Sequence, residues 1–187
     1  MGNGPLVVVA VRQEAAYLTG VDVLLTGIGK VAAAVAVAAA IAERRPSRVL
    51  NVGTAGALRD GLDGVHRIGR VIEHDVDHAA LSALIGEPLS GEVVLDPAAP
   101  MVLATGDAFV QGGAVRAALA RRADLVDMEG FAVARACMAT GVPCEIVKVV
   151  SDDASDEAGA SWLDGIDALA RVIADVVVRE LDERRGP

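Results

Sequence analysis

The sequence predicts a single α/β domain spanning residues 1–187, with three layers formed by a mixed, mainly parallel sheet that is flanked by helices. Two observations support this prediction. Short β-branched runs alternate along the chain with Ala-rich segments of helical length. The hydrophobic fraction is 53% but aromatic residues make up only 2%, so the core must be built from Ala, Val, Leu and Ile. Such a core suits parallel strands with helices packed closely against them.

The elements follow from local patterns taken in order. Strands are predicted from β-branched apolar runs at residues 6–11, 21–26, 48–52, 68–73, 101–104 and 145–150. Helices are predicted from Ala-rich or amphipathic segments at residues 30–45, 113–122, 128–140 and from 162 onward. The first helix is expected to stop before Pro46, as helices usually do. We expect a Gly-rich turn at residues 53–56 and an irregular excursion over residues 76–100.

Charge and composition exclude several classes of protein. The net charge of −9 repels the phosphates of nucleic acids, so no nucleic-acid partner is expected. Arginine pairs at 44–45, 121–122 and 184–185 are expected to close helices rather than to form a basic patch. Two cysteines are too few for a disulfide framework. The longest apolar run, residues 31–42, is shorter than the roughly 20 residues of a membrane-spanning helix. With no signal peptide visible, we expect a cytoplasmic protein without a membrane span.

A glycine motif offers one reading of function. Residues 27–32 fit the pattern G-x-G-x-x-A between a strand and a helix, which is typical of dinucleotide binding. The next strand of such a site should end in an acid for the ribose, but here it ends in Asn51-Val52-Gly53. A dinucleotide-dependent oxidoreductase therefore stays open only as an alternative.

Acidic residues near predicted strand ends offer another reading. Glu14 follows the first strand, Asp127 and Glu129 lie where a helix should begin, and Asp152 follows the strand at 145–150. Acids at the carboxyl ends of parallel strands point into the crevice where α/β sheets bind ligands. Each acid also has an ordinary explanation, as a surface residue or as the start or cap of a helix.

The densest group of potential metal ligands is His74-Asp75-Val76-Asp77-His78. Its spacing does not match a known ligand set, and a polar loop is the favoured explanation. We expect neither a metal nor a cofactor.

Several short segments together resemble the nucleoside phosphorylase/nucleosidase superfamily, and most closely the bacterial methylthioadenosine/S-adenosylhomocysteine nucleosidases. The matching segments occur in the family's order: AVRQEA at 10–15, TGIGKVAAA at 26–34, NVGTAGAL at 51–58, ATGDAFV at 104–110, VDMEGFAVA at 126–134 and VKVVSDDASD at 147–156. The resemblance implies a nucleoside phosphorylase-like fold. It also implies hydrolysis of the N-glycosidic bond of a purine nucleoside, namely a 5′-substituted adenosine.

The resemblance assigns the chemistry to two carboxylates. It implies that Glu14 activates the attacking water and that Asp152, supported by Ser151, protonates the purine at N7. Such a division between a base and an acid also operates in inverting glycosidases. Lys148 stands where these nucleosidases usually carry Arg, so its part in positioning water is an open question.

The resemblance assigns the remaining contacts to substrate binding. It implies that Met128 and Glu129 hold the ribose, that Phe109 stacks on the base and that the Val110 backbone pairs with the base edge. Trp162 falls where a Phe usually lines the pocket for the 5′ substituent. Small residues let the backbone approach a polar ligand closely, and the expected turn supplies three of them: Thr54, Ala55 and Gly56.

Three further expectations follow. Related phosphorylases bind phosphate with an Arg at the position of Asn51 and with a Gly/Arg loop near the N-terminus, where Arg12 is the only cation here. Hydrolysis is thus favoured over a phosphate-dependent phosphorylase, which remains the alternative. The retained acids argue against a nucleoside-binding module without catalysis. The resembled nucleosidases are homodimers, so we expect a homodimer, although residues 76–100 are shorter than their counterparts in that family.

Overall fold

The computed structural model describes residues 4–182 of the chain and contains an eight-stranded mixed sheet. The strands are β1 Leu6–Val9, β2 Val23–Leu25, β3 Val49–Ala57, β4 Val65–Glu73, β5 Glu92–Val94, β6 Met101–Thr105, β7 Leu125–Asp127 and β8 Cys144–Asp152. The helices are α1 Lys30–Arg44, α2 His78–Ile85, α3 Gly113–Leu119, α4 Gly130–Thr140 and α5 Ala158–Asp182. The predicted α/β fold with a mixed sheet flanked by helices is confirmed.

Five of the strands close into a ring. β3 runs parallel to β8 from Val49 to Gly56, β8 pairs with β4, β4 with β6 and β6 with β7. β3 is longer than β1, and its last residues extend beyond the part that pairs with β1. These residues, Gly56 and Ala57, pair antiparallel with β7 and so close the ring. The remaining strands extend the sheet, with β1 and β2 beyond β3 and β5 beyond β4. This closure was not anticipated from the sequence.

The alternation of side chains along β1 separates the helices into two layers. Leu6 and Val8 pack with α1 and α4, whereas Val7 and Val9 pack with α5 on the opposite face. Successive residues of a strand point to opposite faces, so a strand buried on both sides reads as a continuous apolar run. The core consists mainly of Ala, Val, Leu and Ile, as the composition predicted.

Several predicted boundaries were wrong. Residues 53–56 are not a turn but the second half of β3, where their backbone pairs with β8. Residues 76–100 contain both α2 and β5 rather than irregular chain. Asp77 caps α2 by accepting from the Ala80 amide, and Gly86 ends the helix in the left-handed region. The short strand β7 was not predicted, and α4 begins at Gly130 rather than at residue 128.

The arginine pairs and the cysteines behave as structural residues where the structure describes them. Arg44 ends α1 and Arg45 follows it as a left-handed cap, while residues 121–122 come after the end of α3. The pair at 184–185 lies outside the described residues. Cys137 is buried in α4 and Cys144 begins β8, both as free thiols. Within residues 4–182, no helix combines the length and the apolarity needed to cross a membrane.

Candidate active site

The carboxyl-terminal halves of β3 and β8, the end of β7 and the loop after β6 surround a cavity that opens to solvent. Every residue of the predicted site lines this one cavity: Glu14, Thr54, Ala55, Gly56, Phe109, Val110, Met128, Glu129, Lys148, Ser151, Asp152 and Trp162. The structure therefore brings together residues that are far apart in the sequence, and their individual roles stay predictions.

Glu14 is held in the cavity wall by β3. Its side chain is only 3% exposed, and its Oε1 accepts from both the amide and the hydroxyl of Thr54, each at 2.7 Å. Its Oε2 is buried and has no hydrogen-bond partner among residues 4–182. A Cβ on Gly53 would lie 3.2 Å from Glu14 Oε1, so a glycine at this position lets the carboxylate lie directly against the strand. The carboxylate thus keeps one oxygen available.

Thr54 also connects Glu14 to the start of α5. The indole Nε1 of Trp162 donates to Thr54 Oγ1 at 3.0 Å. The Thr54 hydroxyl therefore accepts from one side chain and donates to another. Trp162, Thr54 and Glu14 form a hydrogen-bonded series along the cavity wall.

Asp152 is fixed at the end of β8 by two donors. The Ser151 hydroxyl lies 2.6 Å from Asp152 Oδ2, and the Ala154 amide donates to Oδ1 at 2.8 Å. Because α5 begins only at Ala158, Asp152 closes a short turn and does not cap that helix. Gly56 faces it on β3, where a Cβ would lie 3.0 Å from Asp152 Oδ1. The helix-cap explanation of Asp152 is therefore wrong.

A buried ion pair lies beside these carboxylates. Lys148 Nζ is 2.9 Å from Asp127 Oδ2, and the two side chains are 3% and 2% exposed. Asp127 also accepts from the Thr105 hydroxyl and from the Gly130 amide. Burial alone would lower the pKa of Lys148, but the carboxylates of Asp127 and Glu129 outweigh burial and raise it. Lys148 is therefore a charged structural partner at neutral pH.

Asp127 lines the cavity. From the sequence it stands among the acids near strand ends, but no role is predicted for it. The sequence does indicate that a partner for Lys148 must exist, because Lys148 lies within an apolar strand and a buried lysine needs a carboxylate partner. The sequence offered several nearby acids, and only the pairing of the strands selects one of them.

Glu129 is the carboxylate with the most altered acidity. Burial raises the pKa of Glu129 to about 7 from an ordinary 4.5, and the nearby Asp127 carboxylate adds to the rise. The Gly29 amide, which donates to Glu129 Oε1 at 2.8 Å, opposes it, as does the charge of Lys148. Glu129 consequently changes its charge near neutral pH.

The apolar part of the cavity is supplied by the loop after β6 and by α5. Phe109 is 51% exposed, while Val110 is buried. Asp107 ties this loop to the start of α1, because its Oδ1 accepts from the Lys30 amide at 2.7 Å. Gly112 donates its amide to the Ala154 carbonyl and ties the loop to the segment after β8. The exposed Phe109 ring is left free to cover a planar ligand.

The start of α1 does not offer a phosphate site. The amides of Gly29 and Lys30, which a pyrophosphate would need, donate to the carboxylates of Glu129 and Asp107. A bound anion would have to displace both of these charged partners. The glycine motif at 27–32 therefore serves to bring α1 close to Glu129.

The predicted alternative of a metal site at residues 74–78 is also explained by local contacts. Asp75 pairs with Lys30, His78 contacts Glu73, and Asp77 caps α2. Among the described residues, no group of three His, Cys, Asp or Glu side chains has the arrangement of a metal site.

Comparison with known proteins gives the class and then the family. A Helicobacter pylori 5′-methylthioadenosine/S-adenosylhomocysteine nucleosidase has a TM-score of 0.85 at 24% identity, covering 98% of this chain and all of its own. A futalosine hydrolase of the same organism has a TM-score of 0.85 at 23% identity, covering 97% and 98%. The fold is thus that of the nucleoside phosphorylase-like α/β proteins.

The sequence comparisons narrow this class. The family model of the phosphorylase superfamily matches residues 10–79 and 68–181. A curated 5′-methylthioadenosine/S-adenosylhomocysteine nucleosidase from a Shewanella species is 32% identical over 173 residues, which cover 76% of this chain and 73% of that protein. The chain belongs to the phosphorylase superfamily.

The altered acidity of Glu129 makes stability depend on pH in a defined direction. Between pH 4.5 and about 7 the folded chain keeps a proton on Glu129 that the unfolded chain has released, so this residue weakens folding as pH rises. We expect Glu129→Gln, which cannot ionise, to gain stability relative to the wild type over this interval. Melting temperatures measured from pH 4.5 to 8 test this, with Glu43→Gln on the exposed face of α1 as the matched control. A difference between wild type and Glu129→Gln that stays constant with pH would contradict the assignment.

Proposed function

We propose that the protein hydrolyses the N-glycosidic bond of a purine nucleoside, a 5′-substituted adenosine, and releases the base. Membership of the phosphorylase superfamily and the nucleosidase relatives support this choice. The observation that carries the proposal is the free, buried Oε2 of Glu14 in a cavity that Asp152 also lines. A base for water and an acid for the leaving group are the two requirements of the reaction.

Glu14 would act as the base. Because Thr54 satisfies Oε1 with two hydrogen bonds, Oε2 is the atom left to accept a proton from a water molecule. Burial keeps bulk water from competing for that oxygen. A single water molecule bound there would be held in one orientation and would not exchange freely with solvent. This water would attack the anomeric carbon as the bond to the purine breaks.

Asp152 would act as the acid. Cleavage leaves an electron-rich purine, and protonation at N7 makes it a better leaving group. The contacts from Ser151 and Ala154 fix the carboxyl group at the end of β8, so it would meet the base in one orientation. Phe109 and Val110 would then hold the purine against it.

Glu129 and Met128 would hold the sugar. A carboxylate accepts hydrogen bonds from vicinal hydroxyls, and its negative charge stabilises the positive charge that develops on the ribose ring. Neither this step nor the others requires a metal or a cofactor. The role of Lys148 in this scheme is to hold Asp127 and to limit the crowding of negative charge.

Hydrolysis is favoured over phosphorolysis by the charges of the cavity. Lys148 is the only cation among its described lining residues, and its ammonium group is already paired with Asp127. Asn51 is buried and donates to the Val8 carbonyl, while Arg12 is exposed. A phosphate dianion would lack the donors that it needs.

Base release in phosphate-free buffer tests the proposed reaction. We expect the purified chain to release adenine from at least one of 5′-methylthioadenosine, S-adenosylhomocysteine and adenosine, and Glu14→Gln to be inactive although it still binds. Futalosine should be included because one structural neighbour is named for its hydrolysis. Turnover that needs phosphate and yields a sugar 1-phosphate would show a phosphorylase instead.

Replacement of Asp152 tests the identity of the acid. We expect Asp152→Asn to lower kcat by about 10²–10⁴-fold, the usual contribution of a general acid. The melting temperature should change little, because Asn can still accept from the Ala154 amide. Asp153→Asn is the matched control, since Asp153 is exposed and its side chain accepts from the Ser155 amide, which Asn can also do. Full activity of Asp152→Asn on the best substrate would rule Asp152 out.

We also propose a homodimer. Ile28, Val31 and Val35 form an exposed apolar group at the start of α1, with 62%, 75% and 65% exposure. Ile28 also lines the cavity, so a second copy of the chain at this surface would border the site. Exposed apolar groups of this kind mark protein contacts more often than free surface.

Light scattering at micromolar concentration should give twice the chain mass. Replacing both Val31 and Val35 with Glu should then give a monomer, because two charges cannot be buried unpaired at a contact. Val178→Glu, at an exposed position of α5, should leave the dimer intact. A monomeric wild-type chain would refute the proposal.

A further inference from the structure

We infer that Trp162 positions the Glu14 carboxylate through the hydroxyl of Thr54, in addition to lining the cavity. This inference rests on the proposed function for its meaning in catalysis. The physical coupling of the three side chains is a separate property and can be measured without turnover.

The direction of the hydrogen bonds follows from the chemistry of the indole. An indole N–H only donates, so Thr54 Oγ1 must accept from Trp162 Nε1 at 3.0 Å. The hydroxyl hydrogen of Thr54 is then directed elsewhere, and Glu14 Oε1 lies 2.7 Å away as its acceptor. Trp162 thus selects one orientation of a hydroxyl group that would otherwise rotate.

This orientation makes the two oxygens of Glu14 unequal. Oε1 receives the amide and the hydroxyl of Thr54, whereas buried Oε2 receives no donor among the described residues. If the hydroxyl turned away, Oε1 would keep only the amide and the carboxylate could rotate, so that the position of Oε2 would no longer be fixed. The base would then meet its water in a mixture of geometries, and small displacements of reacting groups are costly.

Trp162 is suited to this task because it belongs to a different element. It projects from the start of α5, while Thr54 lies within β3 and Glu14 in the loop after β1. The series therefore joins three parts of the chain at the cavity. A side chain that served only as an apolar wall would not need its polar edge to meet a hydroxyl group.

Kinetics of Trp162→Phe separate positioning from lining. Phenylalanine keeps an aromatic wall but cannot donate. We expect kcat to fall about tenfold, the scale of one lost hydrogen bond, with KM within twofold. The factor should be the same for adenosine and for 5′-methylthioadenosine, because Glu14 acts at the anomeric carbon in both. A loss confined to KM of the 5′-substituted nucleoside would show that Trp162 only lines the pocket and would overturn the inference.

A double-mutant cycle tests whether the effect passes through Thr54. Thr54→Val removes the hydroxyl at nearly constant shape, so Trp162→Phe should cause no further loss of kcat in that background. Additive losses would overturn the inference. Tyr17→Phe is the matched control, because Tyr17 also ties α5 to the segment after Glu14 by donating to Asp167. An equal loss of kcat in Tyr17→Phe would mean that α5 was merely loosened.

The single tryptophan of the chain gives a readout that does not depend on activity. In an NMR spectrum of the full chain, the indole N–H signal should move in Thr54→Val and also in Glu14→Gln, although Glu14 does not touch the indole nitrogen. An indole N–H signal that does not move in Glu14→Gln would overturn the proposed coupling of Trp162 to Glu14. If the wild type releases no base from any nucleoside tested, the proposed function fails, and the NMR result still decides whether Trp162 orients Thr54 and Glu14.

Discussion

Lys148 and Asp127 form an ion pair inside the closed ring of strands, where neither side chain is more than 3% exposed. Breaking such a pair leaves an uncompensated buried charge and costs roughly 3–5 kcal/mol. The pair fixes the end of β7 against β8, and Asp127 further holds Thr105 of β6 and the first amide of α4. Glu129 lies two residues after Asp127 and immediately before that helix. The position of Glu129, which we propose binds the sugar, therefore depends on this pair.

The same pair determines the charge of the cavity. The carboxylates of Glu14, Asp127 and Glu129 are opposed there by the ammonium group of Lys148, the one cation among the described residues that line the cavity. Such an excess of negative charge favours a substrate that becomes positive on its sugar ring and disfavours an incoming phosphate. It is also expensive to bury, which is why the pKa of Glu129 rises to about 7. Electrostatics that suit glycosidic cleavage by water thus follow from the ion pair between Asp127 at the end of β7 and Lys148 of β8.

Much of the fold could be predicted because strands and long helices leave periodic patterns, and most of the residues that line the cavity could be predicted because six segments in order resemble a known family. The predictions that failed concern short elements and individual side-chain contacts. β7 has only three residues, and α2 is capped by Asp77 and Gly86 yet buries none of its residues, so it lacks an amphipathic pattern. The partner of Lys148 could not be chosen from sequence, since strand pairing rather than spacing selects Asp127. The bond from Trp162 to Thr54 joins residues 108 positions apart and leaves no sequence pattern.

The wrong prediction at residues 53–56 concerns glycines of β3 that weaken the strand but give the carboxylates of the proposed site room to lie against it. Glycine within a strand weakens it, and so the sequence indicates a turn. Gly53 and Gly56 are nevertheless where the carboxylates of Glu14 and Asp152 lie against the strand, and a Cβ at either position would lie within 3.2 Å of a carboxylate oxygen. Larger residues would hold β3 more firmly but would push both acids away from the cavity wall. The pairing of β3 with β8 from Val49 to Gly56, which shifts its register only between Ala55 and Gly56, compensates for the weakness of the glycines. The strand against which the proposed acid and base lie therefore depends on a neighbouring strand that supports it along almost all of its length.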